Sequence, residues 1–203
     1  LYHENYGYRS GINTTMSNHL ASLVRSIENT LNIKDADIVI DIASNDGTLL
    51  NSYQNKKLIR IGVDPLADHL SEYYEPGIKK ISNFFNEEVV TPFLSGEKAK
   101  VITSVAVFYD LERPKDFVKA IRNLLDINGI WVLEQSDLGS MIESNSFDTI
   151  CHEHLEYYSL GVINILLKQN NLRIFDVELN ASNGGSHRIF ACHENSNFET
   201  NNR

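Results

Sequence analysis

The feature that most constrains this chain is the run Val39-Ile40-Asp41-Ile42-Ala43-Ser44-Asn45-Asp46-Gly47-Thr48, apolar and β-branched at first, then small and polar. Such a run reads as a buried strand emptying into a tight turn that opens a helix. A second strand follows at 59–63 and ends in Val63-Asp64-Pro65. Strand, turn, helix and a second strand closed by a carboxylate make one side of a nucleoside pocket, in which the acid accepts bonds from two ribose hydroxyls. The turn lacks the three-glycine spacing that lets backbone press against a pyrophosphate, because Ala43 and Asn45 stand where a dinucleotide site needs glycine. A nucleoside without phosphates fits better, and S-adenosylmethionine is a ligand of that kind. The expected contacts are Asp41, Ser44, Asn45, Asp46 and Gly47 around the turn, with Asp64 and Pro65 after the second strand. A lone Asp after a strand is more often a turn former or helix cap; here two such signals occur at the separation a nucleoside needs.

The alternation continues along the chain. An amphipathic helix over Thr14 to Leu31 carries Met16, Leu20, Leu23, Val24, Ile27 and Leu31 at helical spacing. The first strand, 38–42, is followed by a helix over about 47–55, a strand at 59–63, a helix over about 67–74 and a short strand near 78–81. A fourth strand covers Val101 to Val105, a helix opens at Arg113-Pro114 and ends before Gly129, and a fifth strand covers Ile130 to Glu134. Residues 136–158 are irregular, Leu160 to Gln169 is helical, and Leu172 to Leu179 and Ser186 to Cys192 form a hairpin around the turn at 180–185. Helix–strand alternation implies an α/β fold with a parallel sheet and helices on both faces. A mostly parallel sheet closed by a final antiparallel hairpin is the Rossmann-like layout of class I methyltransferases. The divisions expected are an N-terminal substrate-side segment and helix (1–35), a cofactor-binding domain (36–193) and a polar tail (194–203) that frays. In such a sheet ligands lie beyond the carboxyl ends of the strands, which places Asn83 and Phe84 near the adenine and Ala106 near the methionine half, although an isolated aromatic such as Phe84 in a β/α connection is as often core as adenine platform.

Composition narrows the partners. A formal charge of −9 opposes docking on nucleic acid or anionic lipid. Two cysteines, Cys151 and Cys192, are too few for a disulfide framework and wrongly spaced for a zinc knuckle, so they read as reduced thiols in a cytoplasm. No run of about 18 apolar residues suggests a membrane span.

The densest reactive cluster is Cys151-His152-Glu153-His154-Leu155-Glu156-Tyr157-Tyr158, between the fifth strand and the next helix, on the side of the sheet expected to carry the cofactor turn. A metal site is disfavoured because neighbouring residues on an irregular segment point different ways and the i, i+4 histidine pair of zinc-protease helices is absent. A helix cap with one buried histidine is the plain structural alternative. General base catalysis suits the location, since imidazole titrates near about 6.5 and a carboxylate can fix its tautomer.

Seven segments together resemble the sugar-nucleotide C-methyltransferase family, over nearly the whole chain. They are Tyr6-Gly7-Tyr8-Arg9-Ser10-Gly11, Ser44-Asn45-Asp46-Gly47-Thr48-Leu49-Leu50, Phe108-Tyr109-Asp110-Leu111, Leu133-Glu134-Gln135-Ser136, Phe147-Asp148-Thr149-Ile150, His152-Glu153-His154 and Gly184-Gly185-Ser186. The resemblance implies transfer of a methyl group from S-adenosylmethionine to the carbon beside the keto group of a nucleotide-linked deoxysugar. It implies His154 as the base, with Glu153 sharing the active site and Tyr6 or Tyr8 reaching the sugar. Arg9, Arg173 and Arg188 are candidates for the diphosphate or plain surface charges. Family members commonly add an N-terminal zinc module and a C-terminal domain. The chain therefore resembles the central catalytic domain, and the expectation is of an excised segment that binds cofactor well and turns over sugar poorly. Ala43 stands where similar sequences often have glycine, and Cys151 where an aromatic is common. The alternatives are an O-methyltransferase or another small-molecule methyltransferase, or a cofactor-binding domain inactive without flanking segments.

Overall fold

The computed structural model describes residues 6–201, in two compact units that meet in sequence at Lys100 and Val101. In the first unit α1 (Thr14–Thr30) is capped by Asn13, whose side chain accepts from the Thr15 and Met16 amides, and it buries Leu20, Leu23, Val24 and Ile27 on one face. Strands β1 (Ile38–Ile42), β2 (Ile59–Val63) and β3 (Lys79–Ile81) pair in parallel in the order β3-β2-β1. All five residues of β1 are buried, including Asp41, as expected of a parallel strand covered on both faces.

The helices flanking β2 are shorter than periodicity predicts. The one expected over 47–55 is the single turn α2 (Thr48–Asn51), and the one expected over 67–74 is a set of turns ending in a 3₁₀ turn at Ser71–Tyr73. Tertiary contacts override propensity here. Asn51 donates to the Tyr73 carbonyl and accepts from the Glu75 amide, tying the end of α2 to the segment before β3. Tyr74 is drawn across Gly47 and Gly62, where a β-carbon on either glycine would come within 2.9 Å of its ring. A short helix unforeseen in the sequence, α3 (Glu87–Val90), follows β3, capped by Asn86.

The second unit carries most of β4 (Ala99–Val105), then α4 (Pro114–Leu124), β5 (Leu125–Ser136), α5 (Leu138–Ser144), α6 (Leu160–Lys168), β6 (Leu172–Asn180) and β7 (Ser186–His193). Its strands run in the order β4-β5-β7-β6, with β7 antiparallel to both neighbours, so the expected final hairpin is present. Pro114 at the first turn of α4 fixes its start. The helix ends at Leu124, before Gly129 as expected, and passes without a loop into β5, which starts at Leu125 and not at Ile130, because Asp126 and Asn128 favour local side-chain turns over helix. Phe108 centres the core, its ring 5.8 Å from Phe117, 5.9 Å from Trp131 and 5.1 Å from Tyr158. The tail up to Asn201 packs on β6. Arg173 donates to the carbonyls of Glu194, Ser196 and Phe198, the Phe198 ring stacks on Phe175, and the Asn201 amide donates to the Phe175 carbonyl. No helix among the described residues is long and apolar enough to cross a membrane.

One face of the β5-β7-β6 ribbon carries a buried ion network. Arg188 lies directly opposite Glu134 on β5 and Glu178 on β6, with Nε 2.6 Å from Glu134 Oε2 and Nη1 3.1 Å from Glu178 Oε2. Glu134 and Arg188 are almost wholly buried, whereas Glu178 is about a third exposed, so the Glu134 arm dominates. Removing one member of such a pair leaves a desolvated charge, at about 3–5 kcal/mol. Arg188→Ala is therefore expected to lower the unfolding free energy by that amount in denaturant titration, while Arg113→Ala, whose pair with Asp116 is exposed, changes it by less than about 1 kcal/mol.

Candidate active site

The turn after β1 is held by backbone at unusual angles. Ala43, Asn45 and Gly47 all have left-handed φ, at 58°, 50° and 75°. The amides of Ala43 and Ser44 both donate to the Val63 carbonyl, at 2.8 and 3.3 Å, fastening the turn to the end of β2. Tyr74, which sequence reasoning missed, braces it from below: its buried hydroxyl donates to the Asn45 carbonyl at 2.7 Å and sits 2.8 Å from Ser44 Oγ. Burial pushes that phenol well above its ordinary range, so it stays a neutral donor. The only sequence signal for this role is the pair Gly47 and Gly62, which leaves room for an aromatic ring.

Asn45 and Asp46 were expected to face a cofactor, and the structure turns their side chains to the chain's own N-terminal segment. Asn45 accepts from the Ser10 amide at 3.0 Å and donates to the Tyr8 carbonyl at 3.0 Å, imitating a strand partner. Asp46 accepts from the Gly11 amide at 2.9 Å and from Thr48 Oγ1 at 2.6 Å, with Arg9 Nε 3.5 Å from Oδ2. Arg9 also lies over the Tyr73 ring, 3.4 Å from its centre, a cation–π contact. Tyr8 is thereby fixed beside the turn with its side chain half exposed, and Tyr6 precedes it.

Asp64 is buried at the end of β2. Its Oδ2 accepts from the Asn45 amide at 2.9 Å and its Oδ1 from the Leu66 amide at 2.7 Å, with Pro65 between. Burial raises its carboxyl above the usual range, and the two amides oppose that shift. Each oxygen keeps one lone pair for a further donor. Asn83 turns its amide oxygen to the Phe84 backbone, and the Phe84 ring is 62% exposed after β3. A carboxylate with two open lone pairs, a loop fixed by backbone and an uncovered aromatic face fit the ribose and base of a nucleoside. Asp41 is buried one residue before the end of β1.

In the second unit Ala106 follows β4, exposed and left-handed at φ 54°, with its amide on the Glu134 carbonyl. His154 is half-buried between aromatic rings, 4.2 Å from Tyr109 and 6.3 Å from Tyr157 between ring centres. Its Nδ1 lies 2.8 Å from the Thr149 carbonyl. A carbonyl only accepts, so Nδ1 carries the proton and Nε2 of the neutral ring presents its lone pair. The group at Nδ1 is thus a backbone oxygen, not a carboxylate. Expected as an irregular stretch, residues 136–158 contain α5 and a 3₁₀ turn at Phe147–Thr149 that delivers this carbonyl. Of the three arginines considered for a diphosphate, Arg188 is buried in its ion network, Arg173 holds the tail, and Arg9 braces the turn.

A family model described as a methyltransferase domain matches residues 13–177. C-methyltransferase NovU of Streptomyces niveus is 27% identical over 188 residues, covering 92% of this chain and 45% of NovU. The chain thus spans less than half the length of that relative. Among solved structures, magnesium protoporphyrin IX methyltransferase from Synechocystis PCC 6803, with bound SAH, is 14% identical with a TM-score of 0.64 over 93% of this chain and 90% of its own. CalO1, a methyltransferase in calicheamicin biosynthesis in its SAH-bound form, is 11% identical with a TM-score of 0.64 over 90% of this chain and 55% of its own. At these identities the likeness is one of fold, and it confirms the class I Rossmann-like architecture.

The left-handed Ala43 generates a measurable expectation. An L-residue there carries about 1–2 kcal/mol of strain that glycine escapes, partly offset by the greater freedom of glycine in the unfolded chain, about 0.4–1 kcal/mol. Ala43→Gly is expected to be as stable as the parent or up to about 1.5 kcal/mol more so, and Ala43→Val, β-branched at positive φ, to be less stable than either, by thermal and denaturant unfolding.

Proposed function

This chain belongs to the methyltransferase domain family, and on that premise we propose that it is an S-adenosylmethionine-dependent C-methyltransferase whose acceptor is a nucleotide-linked keto deoxysugar. The observation that carries the reading is the fixed tautomer of His154: the Thr149 carbonyl occupies Nδ1 and leaves Nε2 as a base. The carbon beside a ketone must lose a proton before it can accept a methyl group, and a held imidazole suits that step. The Thr149 carbonyl and the tilted Tyr109 ring, 4.2 Å away between centres, together hold the imidazole in one orientation. The seven segments that resemble sugar-nucleotide C-methyltransferases support the acceptor, and the name of NovU supports carbon as the atom methylated.

S-adenosylmethionine, when bound, supplies a methyl group on a positively charged sulfur. Asp64 would take the ribose hydroxyls on its two open lone pairs, the exposed Phe84 would offer its ring to the base, and the backbone of the Ala43 to Gly47 turn would wall the site. Asn45 and Asp46 act indirectly, by holding the segment that carries Tyr6 and Tyr8 against that turn.

The reading is tested by calorimetry and product analysis on the same variants. Asp64→Asn is expected to weaken S-adenosylmethionine binding by about tenfold to a hundredfold, the loss of bonds to a charged acceptor. His154→Gln is expected to leave that affinity within about twofold while lowering methyl transfer to a nucleotide-linked keto deoxysugar by about 10²–10⁴. Undiminished transfer in His154→Gln, or a methyl group found on oxygen in the product, would sink the proposal.

A further inference from the structure

The face of the β5-β7 pair opposite the ion network is open in hydrogen-bonding terms. Gln135, the penultimate residue of β5, stands directly across from His187, the second residue of β7. Residues so paired leave the same face with β-carbons about 4.5–5.5 Å apart. Each is 1% exposed. His187 Nδ1 lies 3.3 Å from Asp137 Oδ1, and because a carboxylate only accepts, that nitrogen carries the proton. Burial holds the imidazole below its usual value, so the neutral ring presents a lone pair at Nε2. Among the described residues Nε2 has no hydrogen-bond partner, and neither the nitrogen nor the oxygen of the Gln135 amide has one. Buried polar atoms are nearly always partnered, so three open atoms on two facing side chains mark a place built for something else.

Their position is that of a ligand site. Gln135 lies at the carboxyl end of β5, the end at which α/β sheets receive ligands. The antiparallel course of β7 brings its first residues to the same end. The chemistry is selective. An O–H group satisfies both side chains at once, donating to His187 Nε2 while its oxygen accepts from Gln135 Nε2, and Gln135 Oε1 remains for a second donor. An ionised carboxylate or a phosphodiester has no proton to give Nε2, and an apolar group leaves every atom open.

We propose that Gln135 and His187 form a subsite that binds a hydroxyl group of the acceptor, with Asp137 as the positioning residue that fixes the imidazole tautomer. The ligand class is an uncharged polyhydroxylated small molecule, and the proposal rests on the reading of the acceptor as a sugar. The Ala181 to Gly185 turn and the first turn of α5 abut at the strand ends, where a β-carbon on Gly185 would come within 2.6 Å of Ser140 Cβ. Gly184 and Gly185 have φ of 77° and 128°, backbone conformations that suit glycine, and they bring this turn against α5 at the mouth of the subsite.

The test uses the full chain with saturating S-adenosylmethionine and a nucleotide-linked keto deoxysugar as probe. Gln135→Leu and Asp137→Asn are compared with the parent for thermal midpoint, S-adenosylmethionine affinity, and KM and kcat for the sugar. Nitrogen-15 NMR follows the His187 Nε2 resonance, identified by its loss in His187→Gln. The expected result is that Gln135→Leu stays folded with unchanged S-adenosylmethionine affinity and a KM at least tenfold higher. The sugar nucleotide should also shift the Nε2 resonance in the parent, and that shift should shrink in Asp137→Asn. If the parent methylates the sugar while Gln135→Leu keeps the parental KM and Nε2 stays still, the subsite is overturned and the proposed function stands. If the parent neither binds nor methylates the sugar nucleotide, the acceptor reading falls and takes the subsite with it.

Discussion

The constraint on which the first unit depends is the reversal of the chain between β1 and α2 in five residues. Three of the five take left-handed φ, and the turn survives because its amides are claimed from outside: two by the Val63 carbonyl, one by the Asp64 carboxylate. Tyr74 closes the same loop from its carbonyl side. The end of β2 is therefore what shapes the turn after β1, and the acid that fits a ribose is also a strut of the loop that faces it. A group with both duties is held rigid before any ligand arrives, which lowers the ordering cost of binding.

The sequence made legible what depends on local pattern. Five consecutive apolar or buried positions from Ile38 to Ile42 read as a strand, the apolar stripe from Met16 to Leu31 as a helix, and the glycine-rich turn at 180–185 as a hairpin, and all three are there. It failed where distant groups decide. Nothing near Asn45 or Asp46 announces that their partners are backbone atoms 35 to 37 residues earlier. The Thr149 carbonyl that orients His154 is invisible in principle, because every residue has a carbonyl and only the fold chooses which one is used. The polar tail reads as disordered by composition, yet Arg173 and Phe175 reach across from β6 to hold it.

The β5-β7-β6 ribbon divides its polar residues by parity. Glu134, Arg188 and Glu178 point one way and satisfy one another; Gln135, Asp137 and His187 fall on alternate positions and point the other. The strand period of two thus keeps the buried ion network apart from the neutral side chains of Gln135 and His187. A one-residue slip of β7 would set Arg188 against Gln135 and leave Glu134 facing Ile189, so the ion network also fixes the register on which the opposite face depends.

The clasp between the turn and residues 8–11 constrains the two partners unequally. Asn45 and Asp46 act through their side chains, whereas Tyr8, Ser10 and Gly11 contribute only peptide groups. Any residue other than proline offers the same amide at position 10, so that position is free to drift while Asn45, which must donate and accept at once, is not. Gly11 is the exception, for a β-carbon there would lie 2.9 Å from Asp46 Oδ2 and Thr48 Oγ1. The side chains of the N-terminal segment can therefore diverge, while the few atoms that anchor it to the turn stay the same.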